Sequence, residues 1–355
     1  MLSRPTGVGV YLRHLLHALA AADSQNRYLL FSSSLRERFD GNALPPFRNS
    51  SFKDYRIPVR VLNFCWHRLG TPPLDLLFGE PVNLTHSPHP LLLPARRART
   101  IVTIHDLFFL SHPSLVDREM ASHYPALVRK HAQRADGIIT VSEFSRQEIV
   151  SRLGASPDKV AVIHHGPPER AECAPAARDS ILLVGRIEYR KNVDNLLRAF
   201  ARIKSRDCRL RLVGAPGAGY HHSRSLCETL GLSGRVDWVG YQSGAGLAAE
   251  YTRARVLAFP SICEGFGLPL LDAMQYAIPI AASNATAIPE VAGDAALYFD
   301  PADPDAMAHA LWTAWDDETA RQRLVEAGRK RLDMFSWERA ARQTLDFYET
   351  VARRR

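Results

Sequence analysis

The chain lacks any run approaching the ~18 consecutive apolar residues of a membrane span, and its opening, MLSRPTGVGV, has no apolar leader core. The expectation is a cytoplasmic protein, at most peripheral on the inner face of the cell membrane. Cysteine is scarce: Cys65, Cys173, Cys208, Cys227 and Cys263 are odd in number, widely spaced and without a CxxC pair. That argues against a disulfide framework or a cysteine zinc site and for reduced thiols. The histidine pairs His164-His165 and His221-His222 have no carboxylate cluster around them, and adjacent side chains diverge, so no metal and no other cofactor is expected. Basic residues occur without interleaved aromatics or a reading helix, which leaves no case for nucleic acid. The run GAPGAG at 214–219 lacks both the GxGxxG spacing and the Lys-Ser/Thr of a P-loop, and reads as a βα turn.

What is present is ordinary globular material, 46% hydrophobic and 23% charged, over 355 residues, enough for about two domains with separate cores. The net charge of +8 is uneven: residues 1–175 carry 21 Lys+Arg against 15 Asp+Glu, and the remainder 24 against 22. A basic first half suits anionic lipid or a phosphorylated acceptor, although a modest excess is also what solvated arginines produce.

Along the chain, apolar strands and helical periodicities alternate. Gly7-Val8-Gly9 reads as a glycine loop opening a helix over 10–22, where Leu12, Leu15, Leu16 and Leu19 recur at helical spacing. In a doubly wound α/β domain such a loop hangs from the first, central strand, but only six residues precede it, one of them Pro5. The expectation is a chain that begins too late, or a sheet with a gap. Strands are expected at 28–32, 83–87, 100–105, 137–141 and 160–163, and helices at 118–134 and after Ser142; the stretch 35–81 resists assignment. Residues 166–179, with three prolines and no periodicity, read as a linker. The βα rhythm restarts at Ile181 and runs through a strand at 256–259 and helix 268–276 to a strand at 279–281, before a helical tail with Trp337, Ala340, Leu345 and Tyr348 along one face. The expected domains are 1–166, a linker 167–179, a second domain 180–335 and a terminal helix 336–355, each domain a parallel sheet with helices on both faces.

Three stretches carry candidate chemistry. CEGFGLPLLD at 263–272 reads as strand, tight turn and helix, with Gly265 and Gly267 permitting close backbone approach and Glu264 and Asp272 flanking the turn. N–H donors for phosphate beside carboxylates for hydroxyls suit a nucleotide sugar, while a plain βα connection would use the same glycines for packing. ILLVGRIEYRK at 181–191 places Gly185, Arg186 and Lys191 between a strand and a helix, two cations suited to a diphosphate whose charge grows as its bond to sugar breaks. TIHD at 103–106 puts His105 at the carboxyl end of a strand, able to donate to a sugar oxygen or to serve as a structural histidine on Asp106.

Taken together, the chain resembles the retaining family 4 glycosyltransferases of the two-domain GT-B fold. The resemblance is carried by TGVGVYLRHLL at 6–16, VTIHDLFFLSHP at 102–113, ADGIITVSEFSRQEI at 135–149, VGRIEYRKNVDNLLRAF at 184–200, SICEGFGLPLLDAM at 261–274 and IPEVAGDAALYFDP at 288–301. It implies that nucleotide-sugar donor binds the second domain and a glycan or lipid-linked acceptor the first, with chemistry in the cleft and no metal. By the same resemblance Arg186 and Lys191 match the diphosphate clamp, and Glu264 the carboxylate that binds donor-sugar hydroxyls. Phe266, Gly267 and Leu268 match amides near sugar and phosphate, His105 a histidine at the sugar and leaving group, and Gly7 and Gly9 a loop that closes over phosphate. Where the family usually has a second Glu for the ribose, this chain has Asp272, one methylene shorter. A GDP- or UDP-sugar donor, GDP-mannose first, and a role in cell-surface polysaccharide biosynthesis follow from the resemblance. The competing expectations are a non-catalytic nucleotide-sugar-binding or scaffold protein, and an epimerase or phosphorylase on the same fold.

Overall fold

Apolar runs flanked by glycine and proline become parallel strands throughout the computed structural model, which describes residues 7–34, 45, 47–171, 173–174, 176–205 and 207–354. The chain divides into two units, Met1–Gly166 with Ser336–Arg355, and Pro167–Phe335.

In the first unit the strands are β1 Tyr28–Ser33, β2 Ser50–Tyr55, β3 Leu84–Ser87, β4 Arg99–Ile104, β5 Gly137–Thr140 and β6 Val160–Val162. They form two separate parallel sheets, β1-β2 and β3-β4-β5-β6, so among the described residues the sheet has the expected gap. Residues 1–6 lie outside the described residues. The helix begins at Gly7 and runs to Ala22, so Gly7 and Gly9 form its first turn and not a loop ahead of it. Neither glycine has a positive φ. The helix buries Tyr11, Leu15 and Leu19 against Ala341 of the terminal helix Trp337–Arg353, and that packing outweighs the helix cost of two glycines. Gly137 allows the terminal helix onto the sheet, since a Cβ there would fall 2.8 Å from Val351 Cγ2.

Two further expectations change in this unit. The helix expected over 118–134 is two helices, Arg118–Ser122 and Tyr124–Arg134, because Pro125 lacks an N–H and is tolerated only in a first turn. The unassigned stretch holds β2, a helix Val59–Phe64 and a π-helical turn Cys65–Leu69; its residues 35–44 and 46 are outside the described ones.

The second unit's strands are β7 Ser180–Val184, β8 Arg209–Val213, β9 Val236–Gly240, β10 Ala254–Phe259, β11 Ile280–Ser283 and β12 Ala296–Phe299, in the order β12-β11-β10-β7-β8-β9, all parallel. Ile181, Leu182 and Leu183 are buried, as are Val256, Leu257 and Ala258. Such unbroken apolar runs are what a sheet covered on both faces requires. The chain winds outward from β7 through β8 to β9, returns to place β10 beside β7, and winds the other way. The strand order therefore reverses between β7 and β10, where open α/β sheets leave a crevice beyond the carboxyl ends. Residues 167–179 hold no described helix or strand, and Arg170 and Arg178 tie them to the carbonyls of Gln275, Tyr276 and Ala277 at 3.3, 2.8 and 2.8 Å.

Candidate active site

Both candidate stretches of the second unit leave the sheet at this reversal. After β7 the chain turns at Gly185, whose φ of +144° and closeness to Lys191 leave no room for a side chain: a Cβ would fall 2.8 Å from Lys191 Cε. The GAPGAG turn packs onto this loop. A Cβ on Gly214 would fall 1.9 Å from the Gly185 carbonyl oxygen, and one on Gly217 3.0 Å from Arg186 Nε. Its glycines thus give a close-packed seat for the Arg186 loop. Arg186 is exposed and makes no ion pair among the described residues.

Lys191 is different. It is 6% exposed, lies 5.1 Å from the Phe259 ring centroid, and donates to Glu264 Oε1 at 2.5 Å. Arg190 Nη1 donates to Glu264 Oε2 at 3.1 Å, while its Nε bonds Glu188 at 2.8 Å. Burial opposes ionisation of Glu264, but Lys191 and Arg190 outweigh it and hold the carboxyl down at about 2. The backbone of Glu264 is fixed too, its N–H donating to Thr286 Oγ1 at 3.0 Å. Glu264 is therefore a charged carboxylate with both oxygens oriented before any ligand arrives.

Beyond it, Gly265 and Phe266 lead to Gly267, which caps the helix Leu268–Gln275 at φ +103°. A Cβ on Gly267 would meet Leu270 Cδ1 at 2.9 Å. Pro269 has no N–H and Leu270 N donates to the Gly267 carbonyl, leaving the Gly267 and Leu268 amides as the terminus's donors without an intrahelical partner. Phe266 is buried edge-on against Phe335. Asp272, half-buried on this helix, touches neither cation; its Oδ2 accepts from the Tyr251 hydroxyl at 2.9 Å. Burial pushes its carboxyl up to about 7, with the Tyr251 bond pulling the other way.

In the first unit His105 follows β4 and packs edge-on against Tyr11, ring centroids 4.8 Å apart, so the helix that starts at Gly7 delivers Tyr11 to it. One ring nitrogen bonds the Pro88 carbonyl and, among the described residues, Nε2 has no partner. Burial lowers the imidazole pKa, against Asp106 and Pro88. A neutral ring that donates to Pro88 presents Nε2 as an acceptor. The Asp106 carboxylate accepts from Phe108 N at 3.1 Å. Among the described residues no group of three or more His, Cys, Asp or Glu is arranged to hold a metal.

These features match known proteins across the chain. The family described as Glycosyltransferase Family 4 matches residues 5–168, and Glycosyl transferases group 1 matches residues 170–331. O-antigen chain mannosyltransferase B of Escherichia coli is 31% identical over 283 residues, covering 75% of this chain and 74% of that protein. The chain belongs to the family 4 glycosyltransferases. The transferase is also 32% identical over 234 residues to the MMP alpha-(1->4)-mannosyltransferase of Mycolicibacterium hassiacum, covering 64% of this chain and 57% of that one. Its fold is GT-B, two Rossmann-like domains. Sucrose-phosphate synthase of Thermosynechococcus elongatus superposes with TM-score 0.75 at 22% identity, covering 97% and 93% of the two chains. HepE of Anabaena, solved with UDP and glucose, gives 0.74 at 15% identity, covering 98% and 96%.

Two residues of the candidate site were not singled out from sequence. Arg190 adjoins Lys191 in the quoted motif, and its adjacency to a buried cation was the available signal. Tyr251, 1% exposed, is a core aromatic by position, and nothing in the periodicity marks its hydroxyl as the partner of Asp272.

Proposed function

We propose that this transferase moves a sugar, with retention of configuration and without a metal, from a nucleoside-diphosphate sugar to a glycan or lipid-linked acceptor in polysaccharide assembly. The observation that carries the reading is Glu264, buried, ionised and oriented by Lys191 and Arg190 where the strand order reverses. Such a carboxylate is a ready acceptor for donor-sugar hydroxyls. Arg186, exposed and without an ion pair among the described residues, and Lys191, with the amides of Phe266, Gly267 and Leu268, supply positive charge for the diphosphate. Gly185 and Gly265 let the ligand approach the backbone, and Asp272 accepts from the ribose. In the first unit, His105 accepts from a substrate hydroxyl through Nε2, and Gly7 and Gly9 offer bare backbone to phosphate.

The step needs no enzyme nucleophile. The bond from the anomeric carbon to the phosphate oxygen breaks while the acceptor oxygen adds on the same face, and the acceptor proton passes to the departing phosphate oxygen. Charge growing on the diphosphate is what Arg186 and Lys191 stabilise, the contribution that dominates such reactions. Mannosyltransferases among the relatives support GDP-mannose, and the nucleotide bound by HepE supports a UDP-sugar.

The test is thermal unfolding of the purified chain with GDP-mannose, UDP-glucose and ADP-glucose, followed by NMR of the anomeric proton of the product. One donor should raise the midpoint in proportion to occupancy and yield a product of the donor's own anomeric configuration. An inverted product, or no donor that shifts unfolding, overturns the reading.

A further inference from the structure

A file of polar side chains crosses an otherwise apolar layer of the first unit. Strand alternation puts Ile101, Thr103 and, just past the end of β4, His105 on one face of the sheet, with Leu84 and His86 of β3 beside them. The terminal helix covers that face: Leu84, Ile101 and Ile139 pack with Ala340, Phe347, Tyr348 and Val351. Within this layer the Tyr348 hydroxyl lies 2.6 Å from His86 Nδ1, and His86 Nε2 lies 2.7 Å from Thr103 Oγ1. Thr103 Oγ1 in turn lies 3.4 Å from the Tyr11 hydroxyl. The terminal helix, β3, β4 and the first helix are thus joined side chain to side chain.

The bonds at His86 are coupled. Burial, with His105 and His89 nearby, lowers its pKa to about 3, so at neutral pH the ring carries a single proton. One nitrogen then donates and the other accepts. If Tyr348 donates to Nδ1, Nε2–H donates to Thr103; if Thr103 donates to Nε2, Nδ1–H donates to Tyr348. Deleting either hydroxyl removes the bond that fixes the tautomer and the ring. Two contacts that orient His105 start from this file. Tyr11, bonded at its hydroxyl by Thr103, sets its ring edge-on to His105 with centroids 4.8 Å apart. The Pro88 carbonyl, which accepts from the His105 ring, belongs to the residue two beyond His86 as the chain leaves β3. Apolar side chains of similar shape would fill the places of Thr103 and Tyr348 without burying hydroxyls, but they would orient nothing.

We propose that Tyr348, His86 and Thr103 are positioning residues for His105, so that the terminal helix sets the direction of the Nε2 that a substrate hydroxyl meets. The inference rests on the role given to His105 above. The three residues act through Tyr11 and Pro88 and not on substrate. A misplaced Nε2 meets the hydroxyl at the wrong angle, which costs rate more than binding.

Tyr348→Phe in the full chain, which removes one hydroxyl and keeps the ring, is the test. Turnover should fall about tenfold with the donor KM changed by less than about twofold, and the same substitution should cause no further loss in His105→Ala. Tyr55→Phe deletes a hydroxyl bonded to the Leu77 carbonyl at 2.6 Å, a matched loss elsewhere in the unit, and should keep wild-type turnover. With isotope-labelled histidine, the His105 ring resonance, identified by its loss in His105→Ala, should move in Tyr348→Phe and stay in place in Tyr55→Phe. Thermal unfolding shows which variants fold; if Tyr348→Phe does not, Thr103→Val breaks the file on the other side of His86 and carries the same measurements. Wild-type turnover or an unmoved resonance overturns the proposal. So does a loss that persists in full in His105→Ala, the mark of a purely structural role. The resonance needs no substrate, so a chain without transfer activity refutes the functional reading while the resonance still decides the positioning of His105.

Discussion

Lys191→Ala should destabilise the second unit by about 3 kcal/mol at pH 7, because it strands a buried carboxylate. Lys191 and Glu264 are each 6% exposed and 2.5 Å apart. Removing one partner of a buried pair costs about 3–5 kcal/mol, and Arg190 at 3.1 Å from Glu264 keeps part of the compensation. An independent route gives a similar figure. Burial raises and the two cations lower the Glu264 carboxyl, with a net fall from 4.5 to about 2, and a shift of that size is worth roughly 3 kcal/mol. Since the folded value is depressed, this stability is fully present above about 4.5 and is lost as pH falls towards about 2. Urea unfolding followed by tryptophan fluorescence, at pH 7 and at steps down to pH 3, reads both effects. Lys191→Ala should be weaker at pH 7 and less sensitive to acid below 4.5, while Lys191→Met with Glu264→Gln should regain most of the stability and remain inactive. A loss under about 1 kcal/mol, the range of an exposed pair, would refute the reasoning. So would an unchanged acid dependence.

Arg186 provides the cleaner probe of leaving-group stabilisation, being exposed and free of ion pairs among the described residues. Arg186→Ala should lower turnover about a hundredfold or more and change stability by less than about 0.5 kcal/mol; wild-type turnover in steady-state kinetics rules the role out. Asp272, with its carboxyl near 7, should accept a donor hydroxyl better as it ionises, so the donor KM should fall as pH rises through about 7. Asp272→Asn should remove that step, and Tyr251→Phe, which deletes a bond that lowers the Asp272 pKa, should move it to higher pH. Gly214→Ala puts a Cβ 1.9 Å from a backbone oxygen of the Arg186 loop and should cost about 2 kcal/mol or more in thermal unfolding.

Much of the fold was legible because its signals are local. The strand, turn and helix around Cys263 appear as β10 and the helix Leu268–Gln275, with Gly267 at the cap. Ser142 caps its helix as its sequence context suggested, its hydroxyl accepting from Ser145 N at 3.1 Å. Strand β2 was missed because SSFKDY has no apolar alternation, and its residues are intermediate or exposed along its whole length. The glycines at 7 and 9 misled for the opposite reason: local propensity indicated a loop, and long-range packing of Tyr11 and Leu15 on the terminal helix extended the helix through them. At the candidate site the residue types were readable, but their pairing was not. Glu264 and Lys191 are 73 positions apart, and only the adjacency of β7 and β10 makes them a pair. Periodicity could not show that Asp272 would turn to Tyr251 and away from the cations.

The terminal helix makes the order of synthesis and the order of folding run opposite ways. The Tyr11, Leu15 and Leu19 face of the first helix is made before the second unit, yet Ala341, which covers it, arrives only after all of that unit has been made. The second unit, continuous from Pro167 to Phe335, can complete its core first. The first helix then closes after the second unit, and the nascent chain carries an open apolar seam while that unit is made. A chain stopped at Phe335 would keep the Glu264 site and its cations but leave that seam permanently open, a product prone to capture by chaperones or to aggregation.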